Sequence, residues 1–167
     1  MTFYEKLSGA IALAALLLSL YSAISTYHEK HIKTKLFVRW IHKTPTKLNV
    51  SLLISNMSSR PATLTKIFLK YDDKVIESSW YTARLLTQTV DDVETICWSD
   101  VTPINIPPRS SSNPVLSFQN VENFTLTSEL TLIYVIDDVE YEENFKVDRI
   151  LPNSEMLLAL DYQLKHN

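Results

Sequence analysis

Residues 7–24 read LSGAIALAALLLSLYSAI, eighteen positions without a charged side chain. At ~1.5 Å per residue such a run makes a helix ~27 Å long, close to the ~30 Å hydrocarbon thickness of a bilayer. Phe3 and Tyr4 stand at one edge of it, Tyr21 and Tyr27 at the other, where amphipathic rings favour the headgroup level. The run therefore predicts a transmembrane helix, with the lipid bilayer as partner over residues 7–24. Gly9 lies inside it among Ala and Ser neighbours, but no GxxxG spacing supports helix pairing. The rival reading is a cleaved signal peptide, because Ala23-Ile24-Ser25 offers small residues at the spacing a signal peptidase reads. Charge favours the anchor. Glu5 cancels Lys6 before the run, whereas Lys30, Lys33, Lys35 and Arg39 follow it, and positive charge next to a span tends to stay cytoplasmic. The expectation is a single-pass membrane protein whose folded domain faces the cytoplasm.

What remains after the apolar run is enough for one domain of the common size, about 100–150 residues. Its charge is split. From His28 to Lys70 nine Lys/Arg face Glu29 alone, whereas from Tyr71 to the C-terminus six Lys/Arg face seventeen Asp/Glu. The basic stretch suits anionic headgroups. It is dispersed along strands rather than clustered with exposed aromatics, which argues against nucleic acid.

Beyond residue 34 the hydrophobic period changes to two. Leu36, Val38 and Trp40 alternate with Phe37, Arg39 and Ile41, and Leu48, Val50, Leu52 and Ile54 with Asn49, Ser51, Leu53 and Ser55. Both stretches predict strands, the second half-buried. Residues 56–61, NMSSRP, form a turn. In the next strand the apolar phase slips between Leu64 and Ile67, so a β-bulge is expected near Thr65. Residues 80–88 fit strand or loop, and 89–100 stay ambiguous. Pro107-Pro108 excludes a central strand, so residues 104–112 predict a crossing between sheets. Residues 126–136 and 139–147, joined at Asp137-Asp138, predict a β-hairpin with Leu132, Tyr134 and Phe145 in the core and the glutamates on a wet face. After Pro152, Asn153 or Ser154 can cap a short helix carrying Met156, Leu157, Leu160 and Leu164 on one side.

About seven short strands without intervening helices predict an antiparallel, immunoglobulin-like β-sandwich. Three segments follow: an anchor with juxtamembrane helix (1–34), a sandwich (35–152) and a C-terminal helix (153–167). The pattern resembles a broad group of uncharacterised bacterial single-pass membrane proteins with an N-terminal anchor and an immunoglobulin-like domain. Thr26-Tyr27-His28-Glu29-Lys30, Leu52-Leu53-Ile54-Ser55-Asn56 with Ser58-Ser59-Arg60-Pro61, Pro107-Pro108-Arg109-Ser110 before a strand ending in Phe118, and the terminal hairpin carry the likeness. It lacks the glycines common at such hairpin turns, and it implies a fold and a topology rather than an activity.

No chemistry assembles from the residues. Cys97 is the one cysteine, which excludes an intrachain disulfide and reads as an apolar, half-buried side chain. Asp72-Asp73, Asp91-Asp92 and Asp137-Asp138 suggest calcium oxygens but lack the spacing of a calcium loop, and Asp is ordinary turn chemistry. His28 and His31 sit three apart, too few for a metal site. Asn49-Val50-Ser51, Asn56-Met57-Ser58 and Asn123-Phe124-Thr125 match the glycosylation sequon, with Asn49 falling mid-strand. No Ser-His-Asp set, phosphate loop or carboxylate pair is present. The sequence therefore predicts no catalytic, metal or cofactor site, and a non-enzymatic, membrane-tethered interaction domain with an unknown protein partner. The alternative is an exported binding or assembly module freed of its leader.

Overall fold

The computed structural model describes residues 3–31, 34–71, 74–90, 93–122, 124–125, 129–147, 149–152, 155–156 and 159–160 of the chain. It forms two compact units, Met1–Lys33 and Thr34–Asn167.

The first unit is one helix, α1 (Phe3–His31). Ala12, Ala14, Ala15 and Leu16 to Leu18 are strong helix formers. Among the described residues no helix is long and apolar enough to cross a membrane. The transmembrane helix expected over residues 7–24 is thereby corrected, and the single-pass membrane placement goes with it.

The second unit is mainly β. β1 (Lys35–Lys43), β2 (Lys47–Asn56), β3 (Ala62–Tyr71), β4 (Lys74–Glu77), β5 (Arg84–Val90), β6 (Val93–Trp98), β7 (Ile104–Ile106), β8 (Ser110–Ser112), β9 (Val115–Gln119), β10 (Glu129–Ile136) and β11 (Val139–Lys146) follow in order. They make three antiparallel sheets. In the first, β1 flanks β2, whose other edge is shared by β8 and β9; in the second, β11-β10-β3 is completed by β4 and β7, which share the far edge of β3; β5 and β6 form the third. The stretch over residues 104–112 crosses between sheets as expected: β7 pairs with β3 in one sheet and β8 with β2 in the other.

The main core lies between the first two sheets. Leu48, Val50, Leu52, Ile54, Leu116 and Phe118 meet Leu64, Ile67, Leu69, Leu132 and Tyr134, all buried. Two bulges set which side chains reach it. Val135 opposes Lys66 and Ile136 opposes Leu64, so Thr65 is the extra residue on β3 and carries Leu64 and Ile67 inward together. The bulge expected near Thr65 is there. A second sits at Arg39, because Val38 opposes Leu52 while Trp40 opposes Ser51. It reverses the strand's phase: Leu36, Val38 and Ile41 face the main core, and Trp40 joins a second cluster. The continuous alternation read through residues 36–41 is corrected accordingly.

That second cluster makes a third layer. Trp40 and Val115 bury against Leu151, Met156 and Leu160, with Leu85, Leu86 and Cys97 at the margin. β2 is therefore covered on both faces, and Asn49 and Ser51 are buried polar residues rather than a wet face. Residues 155–156 and 159–160 have helical backbone; the rest of the expected C-terminal helix lies outside the described residues.

The terminal hairpin buries Leu132, Tyr134 and Phe145. Asp137 and Asp138 make its turn with φ of 49° and 64°, left-handed values that Asp tolerates better than most residues when glycine is absent. Asp137 is also anchored, its carboxylate accepting the Thr63 N–H at 2.8 Å. One glutamate departs from the expected wet face. Glu143 opposes Leu132 and Tyr141 opposes Tyr134, so Glu143 shares a strand face with Phe145 yet stays exposed, near enough to the Tyr134 hydroxyl to raise its pKa.

Candidate functional site

The loop from β4 to β5 is stapled to its surroundings by backbone. The Ser78 N–H donates to the Ile67 carbonyl (3.0 Å), and the Ser79 N–H donates across to Ser117 of the facing sheet (2.8 Å). At the other end the Ser99 N–H donates to the Ala83 carbonyl (2.8 Å), and the Ala83 N–H returns a bond to Ser99 Oγ (2.8 Å). Ser79, Ala83 and Ser99 are buried by these contacts. The residues between them are pushed outward.

Trp80 is 86% exposed, Tyr81 48% and Trp98 54%. Trp80 and Tyr81 meet edge to face, with ring centroids 5.3 Å apart. Trp98 opposes Arg84 across the hairpin, and Arg84 reaches along the same face to Glu94 at 3.7 Å. Strand alternation places Ile96 with Trp98 and Glu94, and Ile96 is exposed as well. The opposite face of the hairpin carries Leu86 and Cys97 into the third layer. Apolar residues on both faces explain why residues 80–100 gave no clear period. The available signal was Trp80-Tyr81 between a Ser-Ser pair and the Ala83 staple, with no alternation to bury the rings.

Large rings seldom stand this far into solvent without a partner, and Trp and Tyr supply much of the energy of protein interfaces. Arg84 and Glu94, both exposed, pair with each other on the Trp98 face, so among the described residues these side chains offer mainly apolar and aromatic chemistry.

The other sites considered from sequence resolve differently. Asn49 and Asn56 are each 1% exposed, which removes both as glycosylation acceptors; Asn123 lies outside the described residues. Asn49 Nδ2 faces His42 Nδ1 at 3.3 Å, and its Oδ1 has no partner among the described residues. Asn56 is a structural knot. Its Nδ2 donates to the carbonyls of Arg60 (2.7 Å), Pro107 (3.1 Å) and Ile106 (3.2 Å), and its Oδ1 accepts from Ser58 N–H (3.0 Å) and Oγ (2.7 Å). Cys97 is half-buried. Asp72, Asp73, Asp91 and Asp92 lie outside the described residues, as do the side chains of His28 and His31. Among the described residues no group of three His, Cys, Asp or Glu could hold a metal ion. An open cleft of about 330 Å³ lies beside Lys70, Tyr71, Phe124 and Glu129, near the lower limit of small-molecule sites, and Lys70 is engaged there in an ion pair with Glu142.

No family model and no curated protein sequence matches the chain. Among solved structures it is similar to the copper-bound PCuAC domain from PmoF2, at 14% identity and a TM-score of 0.46, over 70% of this chain and 93% of that one. It is also similar to a GH20 exo-β-N-acetylglucosaminidase from Vibrio harveyi in complex with N-acetylglucosamine, at 11% identity and a TM-score of 0.28, over 71% of this chain and 18% of that one. At these values the likeness carries no chemistry from either protein to this one.

Proposed function

We propose that the chain is a non-enzymatic binding module, exported and freed of its leader, that engages a protein partner through Trp80, Tyr81 and Trp98. One observation carries the reading: three aromatic side chains are held in solvent on a backbone stapled at both ends, with Trp80 86% exposed. Pre-ordered backbone lowers the entropy lost on binding, and exposed Trp and Tyr are the commonest energetic anchors of interfaces. Export is supported by the uncharged run over residues 7–24 and the small residues Ala23 and Ser25 at its end.

The test is affinity capture from the native cell envelope with the unaltered protein and with a Trp80→Ala/Trp98→Ala variant. The expected result is a partner retained by the first and lost by the second, while far-UV circular dichroism stays the same. Identical captured sets would refute the aromatic surface. An intact mass that retains residues 1–25 in the mature protein would refute export.

A further inference from the structure

The second sheet buries one face in the main core and turns the other outward. On β3, Lys66, Phe68 and Lys70 alternate with buried Ile67 and Leu69. On β10, Ile133 and Val135 alternate with buried Leu132 and Tyr134. Glu140 and Glu142 of β11 stand on the same outward face, both exposed. Strand register sorts these side chains by charge. Val135 lies between Glu140 of β11 and Lys66 of β3, and Ile133 lies between Glu142 and Phe68. The face therefore carries an acidic column on β11, an apolar column on β10 and a basic column on β3, about 4.8 Å apart. Phe68, Ile133 and Val135 are only half-buried and belong to neither apolar cluster.

Lys70 reaches diagonally across β10 to pair with Glu142. Glu140 and Lys66, which flank the same valine, have no ion-pair partner among the described residues. An acidic edge and a basic edge on either side of an apolar middle complement the same face of a second copy. Only one in-plane two-fold axis achieves the match. An axis along β10 sets Val135 and Ile133 over their own counterparts and lays Glu140 over Lys66 of the second copy, twice by symmetry. An axis across the strands instead stacks β11 on β11 and sets glutamate against glutamate, which is repulsive. Glu77, which opposes Phe68 from β4, falls outside the overlap in the first arrangement.

We propose that the outward face of β11, β10 and β3 is a self-association surface, and that its occupant is the same face of a second copy, paired about a two-fold axis along β10. Three strands about 4.8 Å apart, with same-face residues about 7 Å apart along each, give a contact of roughly 15 Å by 20 Å. That is the low end of specific interfaces, so the pair is weak and reversible, with a dissociation constant of about 100 µM. The surface is independent of Trp80, Tyr81 and Trp98, which belong to the third sheet and the loop that enters it.

The test is sedimentation equilibrium of the full chain at up to about 0.5 mM in low salt, well above the expected dissociation constant. It compares the unaltered protein, Glu140→Lys, Lys66→Glu and an equimolar mixture of the two variants. Each variant alone is expected to associate at least about tenfold more weakly, because like charges then meet at both ends of the pair. The mixture is expected to recover to within about threefold of the unaltered protein, because each reversed charge then faces its opposite. Association through the apolar run of residues 7–24 would be blind to both substitutions. Equal association by all the samples, a mixture no stronger than either variant alone, or an unaltered protein that stays monomeric would overturn the proposal. Both side chains are exposed, and far-UV circular dichroism checks that the variants fold. If one does not, the unaltered protein decides: its association should weaken about threefold or more between about 0.05 M and 0.5 M salt. Association indifferent to salt would also overturn the proposal.

Discussion

Asn56 ties three parts of the sandwich together, and removing its amide tests that role quantitatively. The side chain closes the 56–60 turn through Ser58 and reaches the β7–β8 connection through Ile106 and Pro107. Two N–H groups serve three carbonyls, so one donor is shared. In Asn56→Ala the Ser58 and Arg60 groups lie toward solvent and rehydrate, whereas the Ile106 carbonyl is inside and loses its donor. At about 1 kcal/mol for each inward bond, plus a smaller loss for the turn, the cost comes to about 2–3 kcal/mol. For a domain of this size that lowers the melting temperature by about 6–12 °C. Asn56→Asp keeps the volume and the acceptor but sets a carboxylate against three carbonyl oxygens, so it should melt at or below the alanine variant. The assay is thermal unfolding of the full chain by circular dichroism at neutral pH. An aspartate variant as stable as the unaltered protein, or an alanine variant within about 2 °C of it, would refute the reasoning, because the lost bonds would then be worth nothing.

Burial, and then Glu143, push the Tyr134 hydroxyl well above its ordinary value of 10.0. A raised pKa means that the folded state holds the proton after the unfolded chain has begun to release it, so stability falls as pH rises from about 10. Urea melts should show this alkaline loss, reduced in Tyr134→Phe; identical slopes would count against it. Asp137→Gly should cost about 1 kcal/mol by losing the bond to Thr63, whereas Asp138→Gly should be neutral or stabilising by up to about 1 kcal/mol, since glycine accepts φ of 64° without strain. Equal melting shifts for the two would mean that the carboxylate of Asp137 contributes nothing. Phe145→Ala should cost about 3–5 kcal/mol and Glu142→Gln no more than about 1 kcal/mol; comparable urea midpoints would place the faces of β11 wrongly.

The parts of the sandwich that alternate cleanly between apolar and polar residues were readable from sequence, and so were its interruptions. The Thr65 bulge showed itself because polar Lys66 sits between Leu64 and Ile67. The Arg39 bulge did not, because Trp40 and Ile41 are both apolar and either phase fits. Asn49 and Ser51 read as a solvated face, since nothing local announces that Leu151, Met156 and Leu160 return from far along the chain to cover that sheet. The aromatic surface was hidden for a related reason: the hairpin behind it is apolar on both faces, and only the fold decides which face is buried. The N-terminal run looked long enough to span a bilayer when counted by charge alone, and no described helix meets that requirement.

Glu143 has a bearing on the protein's behaviour at high concentration. β11 is the outer strand of its sheet, and its free backbone groups could template the strand of a neighbouring molecule. A stack of such strands would bring the exposed Glu143 carboxylates, one per molecule, into line with one another at every layer. A charged side chain on an outer strand is one of the devices by which β-proteins stay clear of amyloid-like aggregation. The residue that spoils the hairpin's alternation thus keeps its edge from growing.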